Sequence, residues 1–172
     1  KKSYPQLPLI EDKKIVREIK TLNDQAELTT IFTEKSVDFI NENKDNPFFL
    51  YVPHPMPHVP IAVSEKFLGK SDQGLYGDLM MEIDWSVGRI INALEQNNII
   101  DNTLIIFTSD NGPWLNFGNH AGSTGGLREG KGTSFEGGQR VPTVMMWPDV
   151  IPAGKIANQL SSAIDILPTV SH

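Results

Sequence analysis

An aspartate and an asparagine, Asp110 and Asn111, stand side by side at the end of an apolar run, in the stretch TLIIFTSDNGPW. Carboxylate and amide oxygens with no thiol or imidazole beside them suit a hard cation such as Ca²⁺ or Mg²⁺. The tetrapeptide Asp-Asn-Gly-Pro is also a common turn, because all four residue types favour turns. The residues alone therefore leave two interpretations open, a metal site and a turn.

A glycine-rich stretch further along, GSTGGLREGKGTSFEGGQR, contains a second polar candidate, Lys131. Its Gly-x-x-x-x-Gly-Lys spacing is that of a phosphate-binding loop, but Gly132 follows where the magnesium-binding Ser or Thr should stand. No strand pattern precedes it and no helix pattern follows, so nucleotide binding is excluded. What remains is an irregular backbone that presents a lysine between Arg128 and Arg140, and the alternative is an ordinary solvated lysine.

Two histidines, His54 and His58, lie in the proline-rich segment PHPMPHVP. The prolines between them exclude the helix on which a paired-histidine zinc site depends. A histidine in a rigid loop could instead act as a general acid or a hydrogen-bond donor, because its ordinary pKa of about 6.5 makes both protonation states accessible. One of the two could simply pack against the prolines. His120, in FGNHAG, is a third candidate or an ordinary loop residue.

These side chains need a scaffold, and the chain around them alternates helical and strand patterns. Apolar residues at helical spacing predict helices over residues 28–43 and 74–96. Short apolar runs predict strands over residues 48–52, 103–108 and 141–147. The alternation predicts an α/β fold with a mostly parallel sheet and helices on both faces.

Within that sheet, residues 48–52 and 104–108 are predicted to be parallel strands that are neighbours or nearly so, with the long helix packed on them. In open α/β sheets, ligands gather at the carboxyl ends of the strands. The proline-rich segment follows the first of these strands, and Asp110 and Asn111 follow the second. The predicted topology thus places the histidines and the Asp-Asn pair where a site would form.

Composition limits the classes of function. The chain has 172 residues and a net charge of −6, from 21 acidic and 15 basic residues, without a basic run of the kind that binds nucleic acid. It has no cysteine, which excludes disulfides and thiolate metal sites. No apolar run reaches the length of about 18 residues that a membrane span needs. The segment SYPQLPLI is expected to lie extended on a surface, and SSAIDILPTVSH has the spacing of a beginning helix.

Four motifs follow one another in the order PFFLYVPHPMPHVP, TLIIFTSDNGP, GLREGKGTSFEGGQRVP and SSAIDILPT. In spelling and order they closely resemble the sulfatase family, the arylsulfatase-like branch of the alkaline phosphatase superfamily. The resemblance covers the chain from about Tyr4 to His172. It implies an alkaline-phosphatase-like α/β fold and a parent protein that hydrolyses sulfate esters.

The resemblance also implies roles for the polar candidates. Asp110 and Asn111 match two ligands of a Ca²⁺ ion, and Lys131 matches the lysine that binds the sulfate. His58 matches a histidine that contacts the sulfate or assists departure of the ester oxygen. His120 lies where family members often build the substrate pocket, whereas His54 receives no comparable role.

Two parts of the family pattern are absent from these residues. Family members carry paired aspartates that complete the metal site, and a C-x-P-S-R or S-x-P-x-R motif whose first residue becomes the formylglycine nucleophile. Here Ser3-Tyr4-Pro5 is followed by Leu7 where arginine belongs. The resemblance therefore implies that residues 1–172 are a central part of the catalytic domain, truncated at both ends. Such a fragment would have an incomplete Ca²⁺ site and no activity of its own.

Two alternatives remain open: a phosphate-ester hydrolase of the same superfamily, and a non-catalytic binding module on the same fold. The expected partner of the parent is a sulfated small molecule or carbohydrate, with no nucleic acid and no membrane span. A strand missing from the sheet would expose an edge through which the chain could form oligomers. Family resemblance implies export, to the periplasm, the extracellular space or the lysosome.

Overall fold

The structure is a computed structural model that describes residues 7–171. These residues form two compact units, each with its own secondary structure. The first unit comprises residues 7–99 together with 116–122, and the second comprises residues 100–115 together with 123–171. The first four residues of the segment SYPQLPLI lie outside the described residues.

The first unit contains a two-stranded antiparallel sheet and three helices. The strands are β1 (Leu7–Glu11) and β2 (Lys14–Ile19), and the helices are α1 (Leu22–Ala26), α2 (Leu28–Asn43) and α3 (Gly74–Gln96). A short 3-10 turn, Leu115–His120, supplies most of the returning segment. The second unit contains strands β3 (Ile105–Thr108) and β4 (Thr143–Met146), helices α4 (Glu136–Gln139) and α5 (Ile166–Val170), and 3-10 turns at Ile100–Asn102 and Ala163–Asp165.

Helices α2 and α3 form the core of the first unit, and both match the predicted bounds of residues 28–43 and 74–96. Their packing buries Ile40 and Leu79 almost completely. The proline-rich segment adds to this core, since Met56 is buried in one cluster with Leu79 and Ile83. The helical predictions are confirmed because apolar periodicity is a local signal that the packing then uses.

The strand predictions have a mixed outcome. Residues 105–108 and 143–146 are strands, as predicted, and they pair with each other in antiparallel register, Ile105 opposite Met146. The prediction of a strand at residues 48–52, parallel to 104–108, is wrong: this segment is neither helix nor strand and belongs to neither sheet. A strand exists only with a partner for its backbone groups, and no described segment pairs with this one.

Mixed α/β architecture is therefore confirmed, while both strand pairs formed by residues 7–171 are antiparallel rather than parallel. The segment predicted to lie extended on a surface is instead part of a hairpin from Leu7 onward, with Asp12 at its turn in the left-handed region, φ 55°. The predicted C-terminal helix is present as α5. No helix among residues 7–171 is both long and apolar enough to cross a membrane.

Candidate active site

Two loops of the second unit are joined along their backbones. The strand-end loop, residues 109–115, follows β3, and the glycine loop, residues 128–138, leads into α4. The Gly112 N–H donates to the Gly138 carbonyl at 2.9 Å, and the Lys131 N–H donates to the Pro113 carbonyl at 2.9 Å. The two loops therefore hold the Asp-Asn pair and Lys131 on one continuous piece of backbone structure.

Glycines make this close approach possible. A Cβ atom on Gly112 would lie 1.8 Å from the Gly137 carbonyl oxygen, and one on Gly137 would lie 2.0 Å from the Glu129 carbonyl oxygen. A Cβ on Gly130 would lie 2.4 Å from the Pro113 carbonyl oxygen. Each of these distances is far inside van der Waals contact, and each obstacle is backbone that cannot rotate away. Gly112 and Gly130 thus set the separation of the two loops, and Gly137 allows the glycine loop to fold closely on itself.

Asp110 and Asn111 lie immediately after β3 in the strand-end loop. Asp110 is exposed and Asn111 is partly buried. The Asn111 Nδ2 donates to the Gly112 carbonyl at 2.9 Å, and the Ser109 hydroxyl donates to the Asn111 carbonyl at 3.0 Å. The Nδ2 bond holds the side-chain amide in place, and its Oδ1 is the atom that could bind a cation. The turn and the metal interpretation are therefore compatible with each other.

The donor set fits a Ca²⁺ ion only in part. Asp110 and Asn111 provide oxygen ligands of the kind that Ca²⁺ prefers. Among residues 7–171, however, no group of three or more His, Cys, Asp or Glu side chains is arranged to hold a metal ion. Since Ca²⁺ takes about 6–8 oxygen ligands, the remaining ones would have to come from elsewhere.

Lys131 differs from the arginines near it in its surroundings. Within residues 7–171 it forms no ion pair with a carboxylate, and its Nζ lies 5.6 Å from the ring centroid of Trp114. By contrast, both arginines face a carboxylate: Arg140 bonds Glu136 at 3.0 Å, and Arg128 lies 3.9 Å from Glu129. An aromatic face attracts a cation without neutralising it. Lys131 is thus available to bind an anion.

Trp114 was not predicted as a site residue. It follows Asp-Asn-Gly-Pro directly and is 41% exposed, so its indole is available at the surface of the strand-end loop. The signal that could have identified it is its position, since a large aromatic side chain beside a polar motif is unusual in a turn. It supplies the aromatic neighbour of Lys131 described above.

His58 lies in the first unit, in the proline-rich segment, and is exposed. Its Nδ1 is 2.7 Å from the Val59 carbonyl oxygen. Because a carbonyl can only accept, Nδ1 carries a hydrogen, and the nitrogen that would exchange a proton with a substrate is Nε2. The acid-base role of His58 stays a prediction, and Nε2 is the nitrogen that would carry it out.

The other two candidate histidines, His54 and His120, also belong to the first unit. His120 is exposed at the end of the 3-10 turn Leu115–His120. His54 is partly buried, bonds Ser86 through Nε2 at 3.1 Å and stacks on Phe32. Burial lowers the pKa of His54 below its ordinary value. No role was predicted for His54 from the family resemblance, and its partners Phe32 and Ser86 lie on helices distant in the chain.

The structural neighbours identify the class of protein. The chain superposes with a TM-score of 0.79 on the PsFucS1 sulfatase from Pseudoalteromonas sp., at 33% identity over 83% of this chain and 29% of that one. It superposes with a TM-score of 0.82 on Ps i-CgsB in complex with k-i-k-neocarrahexaose, at 35% identity over 96% of this chain and 36% of that one. The fold is therefore that of alkaline-phosphatase-like hydrolases.

Sequence comparison then gives the family. The family model for sulfatases matches residues 5–172. The chain is also 39% identical to N-acetylgalactosamine-6-sulfatase of Canis lupus familiaris, over 98% of this chain and 34% of that protein. This chain belongs to the sulfatase family, as its motifs indicated, and it spans about a third of the length of this relative.

Proposed function

We propose that the protein to which these residues belong hydrolyses sulfate esters. The observation that carries the proposal is the backbone junction of the strand-end loop and the glycine loop. This junction holds two oxygen donors, Asp110 and Asn111, together with the cationic Lys131, whose charge no carboxylate among residues 7–171 neutralises. A lysine that pairs with no carboxylate among the described residues, on a loop bonded to the one that carries two oxygen donors, suits a tetrahedral oxyanion.

Each predicted site residue has a separate task in this proposal. The Lys131 ammonium binds the sulfuryl oxygens and stabilises the charge that grows on them as the ester bond breaks. His58, with Nδ1 held by the Val59 carbonyl, would give a proton from Nε2 to the departing ester oxygen. His120 is proposed to contact the substrate.

A Ca²⁺ ion bound by Asp110 and Asn111 would supply positive charge beside the sulfate. With about two protein ligands out of the 6–8 that Ca²⁺ prefers, binding to residues 1–172 alone should be weak. We expect a calcium titration of this chain to detect no site tighter than about millimolar. Submicromolar binding would contradict the proposed donor set.

The nucleophile, which we propose to be a formylglycine, is not among these residues, since the chain has neither Cys nor an S-x-P-x-R motif. We therefore expect the purified chain to release no product from 4-nitrophenyl sulfate above a heat-treated control. Turnover by these residues alone would disprove this part of the proposal.

A sulfated carbohydrate is the substrate class we propose. It is supported by the relative named for an N-acetylgalactosamine 6-sulfate and by the neighbour solved with a neocarrahexaose. Export of the protein, to the periplasm, the extracellular space or the lysosome, remains a prediction. The same holds for oligomers formed through an exposed sheet edge.

The decisive experiment uses the full-length protein and compares 4-nitrophenyl sulfate with 4-nitrophenyl phosphate. We expect the sulfate to be preferred, and Lys131→Met to lower kcat/KM for it by about 10²–10³-fold, the usual effect of losing one charge-stabilising group. Lys155→Met, on an exposed lysine of the second unit, is the matched control. Preference for the phosphate would favour a phosphate-ester hydrolase, and turnover of neither ester would favour a binding module.

Asp110→Ala in the full-length protein tests the metal ligand separately. We expect activity to be lost while the folded structure is kept, because Asp110 is exposed and contributes nothing to a core. Circular dichroism and the turnover assay on the same sample check both parts. A variant that kept its sulfatase rate would leave the Asp-Asn pair as a turn only.

A further inference from the structure

The proline-rich segment 53–60 is attached to the helices by alternate side chains. Met56 is 3% exposed and packs into the core with Leu79 and Ile83. His54, two residues earlier, also points inward, whereas His58, two residues later, is exposed. Prolines at 53, 55, 57 and 60 restrict the backbone between these side chains. We therefore expect the position of residue 54 to influence the position of residue 58.

The attachment at His54 is a chain of hydrogen bonds that ends inside α2. His54 Nε2 lies 3.1 Å from the Ser86 hydroxyl of α3, which lies 2.6 Å from the Thr33 hydroxyl of α2. The Thr33 hydroxyl in turn lies 2.6 Å from the Thr29 carbonyl oxygen. Thr33 and Ser86 are completely buried. The chain thus joins the proline-rich segment to both helices at once.

Assigning a donor and an acceptor to each of these hydrogen bonds determines the tautomer of His54. The Thr29 carbonyl can only accept, so Thr33 donates to it, and the Thr33 oxygen then accepts from Ser86. The Ser86 oxygen is left to accept from His54, which places the ring hydrogen on Nε2. The other ring nitrogen, Nδ1, is buried without a partner among the described residues. If Ser86 instead donated to Nε2, the ring hydrogen would be on Nδ1, as a buried N–H donor without an acceptor. Burying an unpaired donor costs more free energy than burying an unpaired acceptor nitrogen.

Two further contacts agree with a neutral ring. The imidazole stacks on Phe32 of α2, with centroids 6.5 Å apart and planes 29° apart. Burial lowers the pKa of His54, so the uncharged form is favoured near neutral pH.

We infer that His54 is a positioning residue, a neutral Nε2–H imidazole that fixes the proline-rich segment on α2 and α3 and thereby orients His58. The inference rests on the proposed function, in which His58 gives a proton to the departing oxygen. It assigns a task to a histidine that the family motifs leave without one.

The test compares two sulfate esters whose leaving groups differ in how much they need a general acid to protonate them. A nitrophenolate leaves readily without a proton, whereas a sugar alkoxide does not. In the full-length protein, His54→Leu should lower kcat/KM for a sugar sulfate about 10- to 100-fold more than for 4-nitrophenyl sulfate, within the usual range of acid catalysis. In His54→Gln the amide N–H can replace the ring N–H as donor to the Ser86 hydroxyl. The ratio of the two kcat/KM values should then return to within about threefold of the wild-type ratio. Both rates are measured on one sample, so any loss of folded protein cancels.

Two buried serines provide a matched comparison, since Ser86 belongs to the hydrogen-bond chain and Ser36 does not. Ser86→Ala breaks the chain and should shift the ratio in the same direction as His54→Leu. Ser36→Ala removes a buried hydroxyl of α2 that bonds only the Phe32 carbonyl among the described residues, at 2.7 Å, and should leave the ratio unchanged. Equal losses on both esters in His54→Leu, or no rescue by His54→Gln, would reduce His54 to a structural residue and overturn the inference.

The protonation state has its own readout, which does not depend on turnover. Nitrogen-15 NMR of histidine-labelled full-length protein, with His54→Gln to assign the signal, should show a hydrogen on Nε2 and a bare Nδ1 at pH 7. A hydrogen on Nδ1, or a charged ring, would overturn the inference even in an active enzyme. Absence of sulfatase activity in the wild type, with the Nε2–H signal present, would instead refute the proposed function and leave His54 as the anchor of this segment alone.

Discussion

The two units hold their polar groups in opposite ways. In the first unit, α2 and α3 bury polar side chains between them, including Thr33, Glu82 and Ser86, each satisfied by a hydrogen bond. In the second unit, the strand-end loop and the glycine loop meet backbone to backbone, with glycines where side chains would collide. One region is specified by side chains that are present, and the other by side chains that are absent.

The difference decides which substitutions each region tolerates. Removing atoms harms the helix pair, because buried donors lose their acceptors. Adding atoms harms the loop pair, because backbone cannot move aside.

Gly112→Ala should cause the largest loss. Its new Cβ would lie 1.8 Å from the Gly137 carbonyl oxygen, so the two loops must separate and the bond from Gly112 N–H to Gly138 is lost. We expect the free energy of unfolding to fall by about 3 kcal/mol, the upper end for overpacking. Chemical denaturation of the protein measures it. Wild-type stability would mean that the loops do not touch as described.

Glu82→Leu should destabilise the helix pair by about 2 kcal/mol, because buried donors would lose their acceptor. Glu82 is completely buried, and its carboxylate accepts from the Ser64 N–H at 3.0 Å and from the Thr30 hydroxyl at 3.2 Å. Glu95→Leu, an exposed glutamate on the same helix, should change stability by no more than about 0.5 kcal/mol. Equal effects in the same denaturation assay would argue against the buried hydrogen bonds.

Asp78→Asn should make the protein less sensitive to acid. The Ser71 and Gly69 N–H groups donate to this carboxylate, at 2.6 and 2.8 Å, and lower its pKa. A lowered folded pKa means that the stabilisation is present above the unfolded pKa of about 3.9 and is lost as pH falls through the folded value. The decrease in Tm between pH 5 and pH 2.5 should therefore be smaller in the variant. Asp72→Asn, on an exposed neighbour, serves as the control.

Gly88→Ala should give the smallest effect, with the opposite sign to Gly112→Ala. Gly88 lies inside α3, and a Cβ there would meet no other atom within 4 Å. Alanine in a helix interior is favoured over glycine by about 0.5–1 kcal/mol, so Tm should rise slightly. A decrease in Tm would show that space for a Cβ does not decide whether a glycine can be replaced in this protein.

How much of this the sequence predicts depends on how local the signal is. Helices α2 and α3 were predicted with their bounds because periodicity is contained within each element. The strand at residues 48–52 was predicted wrongly, since an apolar run does not say whether a partner exists. Pairing of β3 with β4 was also missed, because it joins residues such as Thr108 and Thr143 that lie far apart in the chain.

The candidate site shows the same limit. Family resemblance singled out Asp110, Asn111, Lys131 and His58, and those roles stay predictions. What the sequence did not predict was support from other elements: the indole beside Lys131 and the buried partners of His54. Such contacts depend on packing between segments, and a single sequence carries no direct trace of them.

The glycine contacts also divide the second unit into positions that are fixed and positions that are adaptable. There is no room for a side chain at Gly112, Gly130 or Gly137. Any substitution at these positions would therefore disrupt the contact and be selected against. Trp114 and Ser134 lie on the same two loops with exposed side chains, and replacing them need not disturb the junction. Substitutions at these exposed positions could therefore change substrate specificity during evolution while the backbone junction of the two loops stays the same.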